Sequence, residues 1–166
     1  MRPGAAPTTG QAEPATEDRL LLSEEGARLV VAEATAASRV VGEPFKTAAA
    51  SLAVAARSRE VPSELFGALT NIVATSLKSG RARRLYSAEG EKALNEVLLM
   101  TPAGREIQKG LAEVNAALRM LADRRLEAAR VAMRVPGSFV VTLQCGGATL
   151  ALAVTADAVS VESLSV

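Results

Sequence analysis

From Phe139 to Val161 the apolar residues fall at every second position. Phe139, Val141, Leu143 and Cys145 alternate with Val140, Thr142 and Gln144. Leu150, Leu152 and Val154 then alternate with Thr149, Ala151, Ala153 and Thr155. A period of two sends one set of side chains to each face of a pleated strand. Gly146-Gly147 separates the two runs and suits a two-residue hairpin turn, whose positions demand positive φ. Pro136-Gly137 marks another turn, and Ala156-Asp157 leads on to Val159 and Val161, opposite Ser160 and Glu162. Upstream, Val131, Met133 and Val135 alternate with Arg130, Ala132 and Arg134, although 124–135 also reads as a continuation of the helix before it. The pattern predicts a four-stranded antiparallel meander with one apolar and one small, polar face. The apolar face must be covered, and the preceding helix is the nearest cover.

Residues 138–156 are uncharged over 19 positions, a length that raises a membrane span. The strict alternation and the central glycine pair argue against it. The sequence reading is therefore that no membrane is involved.

N-terminal to the meander the period is helical. Ser23 caps a helix to about Val41, with Glu24 and Glu25 favourable to its dipole and Gly42 and Pro44 stopping it. Its stripe is mixed: Leu29, Val30, Glu33, Ala37, Val40 and Val41. An alanine-rich helix follows from Pro44 to about Arg57. Ser63 is read as the cap of a third helix whose face is Leu65, Leu69, Ile72, Val73, Ser76 and Leu77, with Gly80 ending it. Ser87 is read as the cap of a fourth, and Thr101-Pro102 as the start of a fifth, with proline at the first helical position. In that fifth helix Ile107, Leu111, Val114, Leu118 and Leu121 form a heptad-like seam, too short for a coiled coil. It reads as a helix laid on the sheet, with a dimer seam as the alternative. The expected fold class is α+β: N-terminal helices, then a long helix packed on a C-terminal four-stranded antiparallel meander. The expected organisation is a disordered tail over 1–18, rich in Pro, Gly, Thr and Ala, a helical region over 19–100, and a helix-plus-sheet region over 101–166.

Composition narrows function mainly by exclusion. The chain of 166 residues has no histidine, one cysteine, one tyrosine, three phenylalanines and no tryptophan. The usual general base and the commonest metal ligand are absent. Aromatic stacking on bases is nearly unavailable. Cys145 has no base to activate it, and its neighbours on the strand are apolar, so it reads as a small packed hydrophobe. One cysteine allows no internal disulfide, which fits a reducing compartment, and the expected location is the cytoplasm. Glu89 with Glu91 and Glu106 with Glu113 are the available carboxylate pairs, and they read as exposed helix charges balanced by Lys92, Arg105 and Lys109. No catalytic residue, cofactor or metal is expected.

Three surfaces remain as candidates. The stretch 44–86 holds seven bases against two acids and ends in a basic run. Lys78, Arg81, Arg83 and Arg84 are its phosphate-contacting candidates, beside the plainer reading that cations complement a helix C-terminus. On the polar sheet face, Arg130 and Arg134 point the same way and can grip one anionic group. The last strand, with Val159, Val161 and Leu164, offers an edge to another chain if it lies at the side of the sheet. The favoured reading is a small non-catalytic component for protein interaction or assembly, self-associating or within a larger complex. A nucleic-acid-associated accessory protein using 78–84 is the alternative, and a small-ligand-binding domain is the second.

Overall fold

A computed structural model describes residues 19–166, so the expected tail over 1–18 lies outside the described residues. Strand β1 (Arg19–Leu21) leads into helix α1 (Glu24–Val40), whose first turn is closed by Ser23: its Oγ accepts from the Gly26 N–H at 3.1 Å. Helix α2 (Phe45–Arg57) returns alongside, with Ala49, Ala53 and Ala56 buried, so small side chains let the two helices approach closely. Strand β2 (Glu60–Pro62) pairs antiparallel with β1, Leu20 opposite Val61. Helices α3 (Phe66–Lys78), α4 (Arg81–Met100) and α5 (Pro102–Arg119) follow. Thr101 is fully buried and caps α5, its Oγ1 accepting from the Gly104 N–H at 3.1 Å.

The meander is then laid down as β3 (Leu126–Val135), β4 (Ser138–Cys145), β5 (Ala148–Thr155) and β6 (Val159–Ser165), antiparallel neighbours in sequence order. Among the described residues the fold is thus α+β, with five α-helices and a four-stranded antiparallel sheet. Residues 124–135, open between helix and strand in the sequence, are strand from Leu126. Gly146 and Gly147 turn the β4–β5 hairpin at φ of 53° and 81°.

Two hydrophobic clusters fall on either side of Thr101. The first joins Leu22, Leu29, Val30, Leu52, Val61, Leu69, Val73 and Leu94 across β1, β2 and the first four helices. The second joins Val114, Ala117 and Leu121 of α5 and its C-terminal turn to Cys145, Ala148, Leu150 and Leu152. Each fully buried leucine contributes about 2 kcal/mol, which is why these stripes decide which helix face turns inward.

Three local expectations change. Ser63 does not cap α3: it begins a short 3-10 turn (Ser63–Leu65) and makes no capping bond, because Pro62 is the end of β2. A helical segment does start after Ser87, the one that carries Leu94, Val97 and Leu98, but the Ser87 hydroxyl donates to the Glu89 carboxylate, and a further segment over 81–86 precedes it, where Arg81, Ala82 and Tyr86 are held by tertiary contacts. Ser87 is the non-helical joint between the two segments of α4, at φ 66°, ψ −171°. The α5 seam is rotated, with Val114, Ala117 and Leu121 buried while Leu111 and Leu118 are exposed. The cause is Gly110, where a Cβ would stand 2.9 Å from the Val159 carbonyl oxygen, so β6 approaches the helix backbone along the glycine side.

Candidate functional site

All ten side chains of β3 are exposed. It is one edge of the sheet, and α5 packs against β6 at the other. Val131 pairs with Val141, Met133 with Phe139 and Ala129 with Leu143. Directly opposed residues share a face, so these β3 residues extend the apolar face on which Val141 and Leu143 join the α5 cluster. Val131 and Met133 remain 66% and 64% exposed because the helix does not reach them. Register shifts at Glu127 and Arg134 bound a regular run over 128–133.

The sequence-derived partner residues divide between the two edges. Arg130 lies on the polar face, opposite Thr142. Arg134 forms an ion pair with Glu162 of β6, so this contact links the two edge strands across β4 and β5. Val159, Val161 and Leu164 lie on the β6 edge and are half-buried against the α5 cluster.

Each of the four mid-chain basic residues is engaged by a different partner in the chain. Lys78 pairs with Asp157 in the β5–β6 connection. Arg81 pairs with Glu33, Arg83 with Glu91 at 3.4 Å, and Arg84 donates to the Ser79 carbonyl at the end of α3, at 3.0 Å. Arg59 likewise donates to the Leu22 carbonyl at 2.9 Å.

Glu33 was written into the α1 stripe by the sequence, yet a carboxylate there has no apolar role. It is 4% exposed, and its partners come from the first segment of α4. Arg81 Nε donates to both carboxylate oxygens at 3.1 Å, and the Tyr86 hydroxyl donates to Oε1 at 2.6 Å. Burial, reinforced by the hydrogen bond to Glu33 and its negative charge, pushes the Tyr86 phenol up to about 12. The kink at Ser87 immediately follows, so the short Arg81–Tyr86 segment takes its own direction and delivers both donors to Glu33. The signal that locates this cluster is a lone acid inside an otherwise apolar helical stripe.

Cys145 is a free, buried thiol in the sheet cluster. Among the described residues, no three His, Cys, Asp or Glu side chains are grouped to hold a metal ion, and no helix is long and apolar enough to cross a membrane. Glu91 is paired with Arg83, and Glu89 accepts from the Ser87 hydroxyl. Comparison with known proteins finds no family model, no curated protein and no solved structure that matches the chain.

Proposed function

We propose that the chain is a non-catalytic assembly component that self-associates by pairing its β3 edge with β3 of a second copy. The observation that carries this reading is a ten-residue edge strand exposed at every position. Open strand edges template pairing with another chain unless they are blunted.

The residues of β3 favour a second copy as the partner. For two sheets to merge with their apolar faces on the same side, the two-fold axis must pass through a residue. Centred on Val131, antiparallel pairing sets Met133 against Ala129, Arg130 against Ala132 and Arg134 against Ala128 of the other copy. Met133 and both arginines then meet alanines, Val131 meets its own counterpart and Val135 meets Glu127. Centring on Ala132 would instead oppose Arg130 to Arg134, and centring on Arg130 would oppose it to itself, both like-charge contacts that destabilise a sheet. The Val131 register also lies within the regular run 128–133. It would produce an eight-stranded sheet with Val131 and Met133 of both copies at the seam.

The nucleic-acid reading draws less support, since Lys78, Arg81, Arg83 and Arg84 each have a partner within the chain. Sedimentation analysis tests the assembly reading. The unmodified chain is expected to sediment as a dimer. Val131→Lys is expected to give a folded monomer, because Val131 is exposed in the protomer, with a melting temperature lowered only by the loss of association and no longer dependent on protein concentration. Val54→Lys, at an equally exposed apolar site on α2, is expected to leave the dimer intact. A dimer that survives Val131→Lys would remove the β3 reading.

A further inference from the structure

A cavity of about 330 Å³ lies between α1, the start of α2, α3 and the first residues of α4. That is within the range of small-molecule sites, at its lower end. Its walls are apolar over Ala37 and Val40 of α1, Phe45 of α2 and Ile72 of α3. Its polar lining is Glu33, Asn71, Thr75, Ser76 and Arg81.

The chemistry of that lining is unequal. Glu33 already has Arg81 Nε on both oxygens and the Tyr86 hydroxyl on Oε1, so its charge is met. What remains unpaired includes donors suited to an anion. The Arg81 guanidinium is ion-paired with Glu33, but its hydrogen bonds there run from Nε, and its two terminal amino groups make no hydrogen bond among the described residues. The Ser76 hydroxyl is 2% exposed as a residue and has no hydrogen-bond partner among the described residues, a state that buried polar groups rarely hold. Because Nε faces Glu33, the outer fork of the guanidinium is the part left over, and a carboxylate matches that fork with two parallel hydrogen bonds.

We infer that this cavity binds a small monocarboxylic acid with an apolar tail. The carboxylate sits on the terminal amino groups of Arg81, with the Ser76 hydroxyl in reach by a small movement of its side chain. The tail lies along Ala37, Phe45 and Ile72. The site is independent of the β3 edge and does not rest on self-association.

Thermal unfolding of the full chain with octanoate, octanol and octylamine as probes tests this. Octanoate at about a 100-fold excess over Kd is expected to raise the melting temperature by about 5–10 °C. Octanol is expected to raise it less, and octylamine not at all, because the Glu33 oxygens are already taken by Arg81 and Tyr86 and an ammonium group cannot accept from the Arg81 donors. Ala37→Leu fills the apolar part of the cavity and leaves Glu33 and Arg81 in place, so it is expected to abolish the octanoate shift. If Ala37→Leu does not fold, Ala36→Leu fills the same wall and serves instead. The proposal is overturned if octanoate produces no shift, if octylamine matches it, or if the shift persists in the filled variant.

Discussion

The Tyr86 hydroxyl donates a 2.6 Å hydrogen bond to Oε1 of Glu33, joining residues 53 apart in sequence. Together with Arg81 it holds a carboxylate beside a helical cluster that is otherwise apolar. A buried charge persists only where it is paired and hydrogen-bonded. The bend at Ser87 is the local conformation that accompanies this arrangement.

The chain has one tyrosine and no tryptophan, so tyrosinate absorbance reports this phenol alone. It is expected to titrate at about 12 rather than the ordinary 10.0. Glu33→Gln should move it back only part of the way, since burial is the larger cause. The linkage sign follows from the raised pKa. The contribution to stability is fully present below the unfolded value of 10.0 and is lost as pH rises toward 12, because the unfolded state releases the proton first. Denaturant titrations between those pH values should show a steeper loss for the unmodified chain than for Tyr86→Phe.

Ser87 occupies φ 66°, ψ −171°, a region that is essentially glycine's alone. Ser87→Gly is therefore expected to stabilise the protein by about 1 kcal/mol in chemical unfolding, despite losing the hydroxyl's bond to Glu89. Destabilisation by the same substitution would show that the hydroxyl, not the backbone, sets the kink.

Gly104 sits at the corner between α4 and α5, where a Cβ would come within 2.0 Å of the Leu98 carbonyl oxygen. That contact is with backbone and cannot be relieved by a rotamer change. Gly104→Ala should cost about 3 kcal/mol, the upper end for overpacking. Gly67→Ala at the start of α3, where a Cβ meets open space, should be neutral or slightly stabilising.

The parts of this fold that were legible in the sequence are those fixed by local chemistry. Gly146-Gly147 supplies the positive φ of its hairpin, Thr101 and Ser23 supply caps, and the alternation from Phe139 onward fixes which residues share a face. The parts that were not legible depend on contacts distant in sequence. Strands β1 and β2 are three residues each, too short to show a period. The turn of helix before Ser87 is held by Glu33 from another helix. The rotation of α5 depends on Gly110 meeting β6, which periodicity alone does not register. At the sheet, alternation located Arg130 and Arg134 on one strand, but which edge α5 leaves open is a matter of tertiary packing.

The pairing of β3 with itself about Val131 is tested most directly by a cross-link that only one register allows. Residues opposed across an antiparallel pair lie about 4.5–5.5 Å apart at Cα, within disulfide reach. Only the residue on the two-fold axis meets its own counterpart. After mild oxidation, Val131→Cys should run as a covalent dimer on a denaturing gel, while Met133→Cys, which would face Ala129, should form no covalent dimer. The native Cys145 is buried and should not contribute. Failure of Val131→Cys to cross-link, or equal cross-linking by both variants, would contradict self-association through this edge.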